Sequence, residues 1–407
     1  MNIAIYHNLT SGGSKREAFE FARQFVHAGH TVHLYYPSTA NEQFLPLTRT
    51  VQGSFNIKLN LLSPVQLRIP GLRKYLDLVG LGVNVLRLKR LAQKVAGVID
   101  SGEYDFAFIH HDRIVQSPYL LRYLKTPSVY FCNEPMREFY EPSIQRPYQQ
   151  PKTLVNQFQE YWYKPFRWIS KGLVRAEDRR NVRWASLLFA NSFFSAESIY
   201  RAYGVRARVS YLGVDAEKFR PLNLERQNIV LSVGAVSPLK GYDFLIEALG
   251  LFAEAKRPKL VIVGNTASTG ETSFLKELAE QRGIVVEFRV NVSEDDLVWF
   301  YNQARALVYA PVLEPFGLAP LEAMACGTPV VAVQEGGVRE SVIDGVSGLL
   351  VQRDAAAFAE ALHRVLNNPA LARELGENGR IEVQRFWTWA HAYDRVSGHL
   401  KAFGIEG

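Results

Sequence analysis

Residues 311–333 read Pro-Val-Leu-Glu-Pro-Phe-Gly-Leu-Ala-Pro-Leu-Glu-Ala-Met-Ala-Cys-Gly-Thr-Pro-Val-Val-Ala-Val, and this stretch decides the fold. Pro320 suits the first position of a helix, and Gly327 suits the left-handed position just after a helix end. The valines that follow Pro329 favour a strand. The pattern therefore predicts a loop, a short helix and a buried strand.

Two glutamates in this stretch are separated by seven residues. Glu314 falls in the predicted loop and Glu322 in the first turn of the predicted helix. The N–H groups of residues 316–318 lie between them, and such a helix start binds anions. Two nearby carboxylates add acceptors for hydroxyl groups, so a nucleotide-sugar is a fitting ligand. For Glu322 alone, a simple preference for a helix start stays an open alternative.

The stretch closely resembles the Glu-x7-Glu signature of glycosyltransferase family 4, whose members are retaining enzymes with the GT-B fold. The resemblance is densest between residues 186 and 351. It implies an α/β protein of two Rossmann-like domains whose parallel sheets face each other across a cleft. Residues 1–213 would form the acceptor-side domain, with 389–407 packing back on it. Residues 214–388 would form the donor-binding domain.

Alternating strand-like and helix-length segments along the chain predict parallel sheets covered by helices. The predicted strands are 2–6, 31–36, 105–110, 127–131, 186–190 and 207–211 in the first half, and 228–233, 258–263, 284–288, 305–309, 329–333 and 348–351 in the second.

The net charge of +7 is unevenly distributed along the chain. Residues 1–222 carry 30 Lys and Arg against 17 Asp and Glu, whereas the remaining residues carry 17 against 23. This asymmetry predicts that the first half faces an anionic membrane surface or a phosphate-bearing acceptor. A nucleic-acid partner is not expected, because no binding module for it is recognisable.

Two basic segments of the first half have apolar residues at helical spacing. Segment 65–99 carries Leu72, Leu76, Val79, Val83 and Leu86 among Arg68, Arg73, Lys74, Arg87, Lys89, Arg90 and Lys94. Segment 158–184 carries Tyr161, Trp162, Tyr163, Phe166, Trp168 and Trp184 among Lys164, Arg167, Lys171, Arg175, Arg179, Arg180 and Arg183. Such helices lie in membrane interfaces or pack an apolar stripe on the core, and both interpretations stay open.

The two cysteines, Cys132 and Cys326, lie in apolar contexts and fit a reducing compartment as buried side chains. The apolar run at the N-terminus is too short for a signal peptide and predicts a strand. We therefore expect a cytoplasmic protein, peripheral at the inner membrane face if the basic segments bind lipid.

Residues 234–241 follow a predicted strand and precede a helix, which is where ligands bind in such sheets. The family usually has Gly-Arg-x-x-x-x-Lys-Gly here, with both cations on the donor diphosphate. Lys240 matches this pattern, whereas Ala235 stands in the arginine position. Arg289, in the segment that resembles the base-binding turn, is a candidate substitute. A solvated lysine at a helix start is the alternative for Lys240.

The resemblance assigns further donor-side residues. Gly264 and Asn265 match the Val-Gly-x-Gly turn beside the donor, with Asn265 in place of the second glycine. Glu322 would hold the ribose and Glu314 the sugar hydroxyls. Members of the set are Gly13, Lys240, Gly264, Asn265, Arg289, Glu314, Phe316, Gly317, Leu318 and Glu322. The Gly336-Gly337-x-x-Glu340 turn is expected to be mainly structural.

In the first half, residues 131–137 resemble a His-x-Pro-x-Arg segment of bacterial sugar transferases. Asn133 stands in the histidine position and Arg137 matches the arginine. His110 and His111, at a strand end, are the nearest substitutes, although ordinary polar residues are common there. Asn133, Arg137 and His111 are thus the acceptor-side candidates. Neither a metal site nor a cofactor is expected, because no ligand cluster has suitable spacing.

Together these features predict a retaining glycosyltransferase that moves a sugar from a nucleotide-diphosphate donor to a saccharide or a lipid-linked acceptor, in surface polysaccharide or glycolipid synthesis. Lys240 and Glu314 are the predicted catalytic residues. The donor nucleotide, UDP or GDP, stays open. The alternatives are a GT-B nucleotide-sugar epimerase and a non-catalytic GT-B scaffold, and Ala235 and Asn133 are the residues that favour the scaffold.

Overall fold

The structure is a computed structural model that describes residues 1–61, 70–112, 115–141, 143–150 and 154–405. The chain divides into two compact units. Unit 1 consists of Met1–Ala190, Ala196–Val209 and Val396–Gly407, and unit 2 of Asn191–Ser195 and Ser210–Arg395. Each unit is built around its own parallel sheet, so the α/β fold class predicted from the sequence is confirmed.

The sheet of unit 1 has seven parallel strands in the order β3-β2-β1-β4-β5-β6-β7. Their bounds are β1 Asn2–Asn8, β2 Thr31–Pro37, β3 Gly53–Ile57, β4 Phe106–Asp112, β5 Ser128–Phe131, β6 Leu187–Ala190 and β7 Arg208–Val209. The central strands are almost wholly buried, as expected for a parallel sheet with helices on both faces. The core of this unit lies between the sheet and these helices.

Strand β3 was not predicted from the sequence. It pairs only with β2 and lies at the edge of the sheet, where three of its five residues are exposed. An exposed edge strand needs no apolar run, so its sequence, Gly-Ser-Phe-Asn-Ile, carries little hydrophobic signal.

The helices of unit 1 are α1 Gly13–His27, α2 Pro70–Asp100, α3 Arg137–Tyr140, α4 Leu154–Val182 and α5 Phe193–Tyr203, of which α5 begins in unit 2. In α2 the side chains packed on the core are Leu88, Leu91, Ala92, Val95, Ala96 and Ile99. Two residues of the apolar stripe predicted for this segment, Val79 and Leu86, do not pack on the core and are exposed. Arg68 lies outside the described residues, as do the side chains of Leu72, Arg73, Lys74 and Leu76.

Helix α4 differs between its N-terminal half and its C-terminal end. Asp178, Asn181 and Val182 are buried, whereas Tyr161 and Trp168 are 71% and 79% exposed. The side chains of Trp162, Tyr163 and Arg167, which belong to the same predicted segment, lie outside the described residues. No helix in the described ranges is both long and apolar enough to cross a bilayer.

The sheet of unit 2 has six parallel strands in the order β10-β9-β8-β11-β12-β13. Their bounds are β8 Gln227–Val233, β9 Lys259–Gly264, β10 Val286–Val290, β11 Ala304–Tyr309, β12 Val330–Val333 and β13 Leu349–Val351. The helices are α6 Tyr242–Gly250, α7 Thr269–Arg282, α8 Glu294–Gln303, α9 Leu318–Ala325, α10 Val338–Ser341, α11 Ala355–Asn367, α12 Pro369–Phe386 and α13 Trp389–Ala402, which ends in unit 1.

Helix α9 begins two residues earlier than the sequence predicts. Gly317 is its N-cap, with φ 94°, so Pro320 occupies the third helical position and not the first. Proline is tolerated there because the first four N–H groups of a helix have no intrahelical partner. Glu322 therefore lies in the second turn, and the prediction that placed it in the first turn was wrong.

The end of α9 follows the prediction. Gly327 has φ 67°, its N–H donates to Met324 O at 2.9 Å, and Thr328 N–H donates to Ala323 O at 2.9 Å. These two hydrogen bonds are those of a Schellman motif. Both cysteines, Cys132 and Cys326, are buried and unpaired.

Candidate active site

Lys240 and Glu314 are brought together at the carboxyl edge of the unit 2 sheet, although 74 residues separate them. The Lys240 Nζ donates to Glu314 Oε2 at 2.7 Å, and the two side chains are 23% and 17% exposed. Lys240 ends a short 3₁₀ turn, Pro238–Lys240, and Gly241 follows with φ 65°. A side chain at Gly241 would lie 2.1 Å from Ala310 O, so only glycine fits this close approach.

The loop that carries Glu314 is held by the glycine pair Gly336-Gly337. Gly337 N–H donates to Glu314 O at 2.8 Å. A Cβ on Gly336 would lie 2.2 Å from Glu314 O, and one on Gly337 would lie 2.2 Å from Pro315 O. The turn expected to be mainly structural thus positions the backbone of the predicted catalytic glutamate.

Glu340, the last residue of this turn, binds a helix start. Its carboxylate accepts hydrogen bonds from Phe193 N–H and Phe194 N–H at 2.8 and 2.9 Å, and from the Tyr211 hydroxyl at 2.9 Å. A carboxylate at the first N–H groups of α5 satisfies donors that the helix itself leaves without partners.

The start of α9 presents backbone donors beside Glu314. In the described part of the chain no hydrogen bond is donated by the N–H groups of Phe316, Gly317 or Leu318. Phe316 is buried, and a Cβ at Gly317 would lie 3.1 Å from the Tyr309 hydroxyl. Adjacent N–H groups at a helix start attract an anion, so this edge can hold phosphate oxygens next to the Lys240 ammonium.

Glu322 is 5% exposed, and its carboxylate accepts a hydrogen bond from the Tyr301 hydroxyl at 2.7 Å. Tyr301 comes from α8, so this contact fixes the carboxylate against a neighbouring helix. Its predicted contact with a donor ribose stays a prediction.

Gly264 ends β9 as predicted, and it lies against the neighbouring loop: a Cβ there would be 2.4 Å from Gly234 O. Asn265 follows it and is half-buried. Asn291 N–H donates to Gly264 O at 2.9 Å, and Asn291 has φ 57°. Asparagine is one of the few residues that tolerate this left-handed conformation, so Asn291 adopts it at little cost.

No arginine occupies the position of Ala235. Arg289 is a half-exposed residue of the edge strand β10, and its side chain is paired with Glu287. Arg353 lies next to Gly241, but it donates to Ala310 O at 3.0 Å, to Pro311 O at 2.9 Å and to the Glu335 carboxylate. Lys240 is therefore the cation that the structure pairs with Glu314.

In unit 1 a buried polar cluster lies at the carboxyl ends of β1 and β4. His7, Lys15 and Glu42 form its first part, and Lys15 is ion-paired with Glu42. Leu9 N–H donates to His7 Nδ1 at 3.3 Å, so a neutral ring carries its proton on Nε2 and donates to Glu42 at 3.0 Å. Burial raises the pKa of Glu42, but the hydrogen bonds from His7 and Lys15 outweigh it and lower that pKa to about 2.

The second part of the cluster contains Glu17, His110 and Asn133. His110 Nδ1 lies 3.1 Å from Glu17 Oε1, and both side chains are buried. Burial raises the pKa of Glu17 well above its usual range, against a hydrogen bond from Asn133. Burial also lowers the pKa of His110 to about 3, so this imidazole is neutral at pH 7.

Two of the three acceptor-side candidates of the sequence, Asn133 and His111, lie next to this cluster. Asn133 Nδ2 donates to Ser14 Oγ at 3.3 Å, next to Gly13, which is the first residue of α1. Burial lowers the pKa of His111 to about 4. Arg137 is paired with Glu141 at 2.5 Å. No sequence motif indicated His7, Lys15, Glu17 and Glu42, because most of their partners are distant along the chain.

Comparison with known proteins identifies the family of this chain. The family model described as Glycosyltransferase Family 4 matches residues 11–218, just over half of the chain. The chain belongs to glycosyltransferase family 4. A second model, described as Glycosyl transferases group 1, matches residues 214–382.

Curated relatives of this family 4 chain include two proteins named D-inositol 3-phosphate glycosyltransferase. The one from Streptomyces bingchenggensis is 34% identical over 233 residues, 51% of this chain and 51% of the relative. The one from Frankia alni is 39% identical over 191 residues, 42% of this chain and 47% of the relative. The chain thus spans about half the length of the curated relatives it matches.

Solved structures share the fold of this family 4 chain. Sucrose-phosphate synthase from Thermosynechococcus elongatus has a TM-score of 0.72 at 20% identity, with full coverage of both chains. Anabaena HepE, in complex with UDP and glucose, has a TM-score of 0.67 at 19% identity and covers 98% of this chain and 99% of its own. Within the described residues, no group of three or more His, Cys, Asp or Glu side chains could hold a metal ion.

Proposed function

We propose that this family 4 chain transfers a sugar from a nucleotide-diphosphate donor to an acceptor hydroxyl, with retention at the anomeric carbon. One observation carries the proposal: the Lys240–Glu314 pair at 2.7 Å stands beside the N–H groups of 316–318. A cation and aligned backbone donors suit a diphosphate, and a carboxylate beside them suits sugar hydroxyls.

In this reaction the bond between the anomeric carbon and the leaving phosphate oxygen breaks, and negative charge accumulates on the diphosphate. Lys240 and the N–H groups at the start of α9 stabilise that charge, which lowers the barrier more than uniform substrate binding does. The acceptor oxygen forms the new bond on the same face, and its proton goes to the departing phosphate oxygen. The products are the glycosylated acceptor and a nucleoside diphosphate.

Glu314 acts in this scheme by orienting the sugar. Its carboxylate is paired with Lys240, so a donor that draws Lys240 to its diphosphate also releases the carboxylate for sugar hydroxyls. A Glu314 nucleophile, as in retaining glycosidases, would have to attack while still facing this ammonium. The charge pair therefore favours the orienting role.

The proposed acceptor is a saccharide or a lipid-linked intermediate, in the assembly of a cell-surface polysaccharide or glycolipid. The basic first half of the chain supports an acceptor that carries negative charge. Relatives named D-inositol 3-phosphate glycosyltransferase support the same class, a polyhydroxylated molecule with a phosphate.

The proposal also includes attachment to an anionic membrane surface through the exposed face of α4. Tyr161 and Trp168 lie seven residues apart on one face of the helix, and both are more than two-thirds exposed. Lys164 lies between them and Arg175 follows seven residues after Trp168, and both cations are exposed. Exposed aromatic rings bordered by cations are typical of helices that bind anionic lipid.

The donor site is tested by the slow hydrolysis of a panel of UDP- and GDP-linked sugars. We expect wild type to hydrolyse one donor, and Glu314→Ala and Lys240→Gln to reduce that rate at least about 100-fold, the usual size of a lost transition-state contact. Lys218→Gln is the matched control, because Lys218 pairs with Glu294 in the same unit. A rate that survives both site substitutions would contradict the proposal.

A non-catalytic scaffold is favoured by Ala235 and Asn133, which stand where relatives have an arginine and a histidine. Ala235→Arg separates the two functions. A scaffold gains donor affinity without turnover, measured by calorimetry and hydrolysis together. A transferase already turns over with Ala235, and the arginine changes its rate.

The membrane face is tested by sedimentation with vesicles of phosphatidylcholine, with and without phosphatidylglycerol. Replacing Tyr161 and Trp168 by Ser should reduce binding to the anionic vesicles at least about tenfold, since each ring buries much apolar surface. Trp299→Ser is the matched control, because Trp299 is also exposed but lies on α8 of unit 2. Equal losses from Trp299→Ser and from the α4 substitutions would contradict a specific face.

A further inference from the structure

An open pocket with a volume of about 420 Å³ lies where β3 ends against α2 in unit 1. Four of its lining residues are cations, Lys58, Arg87, Arg90 and Lys94, and none of the described lining residues is a carboxylate. Lys58 follows the last residue of β3, at the carboxyl end of a parallel strand, where α/β proteins bind ligands. This set of cations is called the basic pocket below.

The three cations from α2 share one helix face. Arg87, Arg90 and Lys94 are spaced by three and four residues, which places their side chains one above another along the helix. Arg87 is oriented by a hydrogen bond from its Nη1 to Asn60 O at 2.5 Å. Two elements thus direct their cations to one place.

The charges of the basic pocket lack the pairing seen nearby. Lys89, on the next face of α2, is paired with Glu177 at 3.0 Å, and Arg122 with the same carboxylate at 3.1 Å. For Arg90 and Lys94, the described ranges contain no ion pair and no hydrogen bond to a side chain. Four neighbouring like charges repel each other, and a polyanion relieves that repulsion.

Apolar side chains complete the pocket. Ile57, Leu59 and Leu91 line it together with the cations. Arginine forks match phosphate oxygens in pairs, and apolar walls suit a hydrocarbon or the face of a sugar ring. The volume lies within the range of small-molecule sites.

We propose that the basic pocket binds a phosphate or diphosphate group with an apolar attachment, and that it holds the phosphate-bearing part of the acceptor. The binding of the phosphate group stands on the pocket alone. Its assignment to the acceptor rests on the proposed glycosyl transfer. The phosphate belongs either to a soluble phosphorylated molecule or to a lipid headgroup.

The test is calorimetric titration of the full chain with inorganic diphosphate. Arg90→Gln with Lys94→Gln should weaken one binding component at least about tenfold, since a hydrogen bond to a charged group contributes about 1.5–3 kcal/mol. Arg90→Lys keeps the charge, and its affinity for diphosphate should lie between those of wild type and the double variant. Lys276→Gln with Arg373→Gln removes the same charge from exposed helices of unit 2 and should change nothing.

Lys240→Gln distinguishes the pocket from the donor site. If diphosphate binding survives Lys240→Gln and is lost in the Arg90 and Lys94 double variant, the pocket is supported even where the donor site fails. If Lys240→Gln abolishes all binding, or the double variant binds as wild type does, the pocket is overturned while the proposed function stands. Equal weakening by the unit 2 control pair also overturns it.

Vesicles distinguish the two sources of phosphate. Vesicles of phosphatidylcholine with phosphatidic acid are compared with vesicles of phosphatidylcholine alone. If the double variant binds neither diphosphate nor the phosphatidic acid vesicles, the phosphate belongs to a lipid headgroup. If it no longer binds diphosphate but still binds the vesicles, the phosphate belongs to a soluble molecule. Both results support the pocket.

Discussion

At the scale of single residues, the position of Glu314 depends on two glycines, because a side chain at either one would collide with the loop that carries Glu314. Gly336 and Gly337 let two backbone segments approach so closely that the carbonyl of Glu314 can accept from Gly337 N–H at 2.8 Å. Leu313, directly before Glu314, has φ 49°, a conformation that costs a bulky residue about 1–2 kcal/mol. Such local strain at a predicted catalytic residue is typical of functional loops.

We therefore predict that Gly337→Ala disables the donor site. Its Cβ would lie 2.2 Å from Pro315 O and 2.8 Å from Phe316 Cα, so the loop of Glu314 must move. Overpacking of this kind costs about 1–3 kcal/mol, and we expect donor hydrolysis to fall at least about tenfold. Steady-state rates and thermal unfolding of the same sample measure the two effects.

Gly398→Ala is the matched control for this substitution. A Cβ at Gly398 would meet no atom of the described ranges within 4 Å, and Gly398 lies inside α13. Alanine is the better helix former, so this variant should be more stable by about 0.5–1 kcal/mol and fully active. If Gly337→Ala behaves in the same way, the glycine pair does not position Glu314.

At the scale of elements, α9 illustrates what could be predicted from the sequence. The residues that end the helix have a strong local preference, and Gly327 takes the predicted left-handed conformation. The start of the helix was misplaced because Gly317, in a left-handed conformation, caps it ahead of Pro320. Proline preference at the first position is statistical, whereas the packing of Gly317 against Tyr309 belongs to the tertiary structure.

The same contrast appears in the other elements. Buried strands such as β6 and β12 are apolar throughout and were predicted, whereas the exposed edge strand β3 was not. The cluster around His7 and Glu17 joins residues up to 119 positions apart, and no local pattern announces such contacts. Resemblance to the family's motifs identified Lys240 and Glu314 separately. Their ion pair is a tertiary contact across 74 residues, which no local pattern predicts.

For α9 we predict that Gly327→Ala lowers stability without loss of donor binding. Among the described residues its Cβ would approach one atom, Pro221 Cγ at 3.6 Å, which is an ordinary contact, so the cost is conformational. A left-handed alanine costs about 1–2 kcal/mol, which shifts the urea midpoint while the m-value stays constant. Lost donor affinity in the folded variant would mean that the helix end, and not only its start, shapes the site.

At the scale of the whole molecule, the two units differ in their buried histidines. His7, His110 and His111 lie in unit 1, and burial lowers their pKa values to about 4, 3 and 4. A histidine whose pKa is lowered in the folded state binds a proton more readily when unfolded. Stability from these groups is therefore lost as the pH falls from about 6.5 toward 4.

We accordingly predict that mild acid destabilises unit 1 before unit 2. At pH 5.5 each of the three histidines costs about 1.4 kcal/mol relative to neutral pH. Glu17 acts in the opposite direction, because burial raises its pKa and the unfavourable burial of its charge disappears as the pH falls. A single group contributes at most about 2 kcal/mol over this pH interval, so the gain from Glu17 offsets only part of the loss from the three histidines.

Hydrogen exchange at pH 7 and at pH 5.5, corrected for the intrinsic rate, measures this difference unit by unit. Protection in β1 and β4 should fall, while protection in β8 and β11 stays constant. His110→Gln removes one titrating group and should reduce the fall, because glutamine binds no proton in the unfolded chain. Equal losses of protection in both sheets would show that the buried histidines do not set the acid response, and that the carboxylates common to both units do.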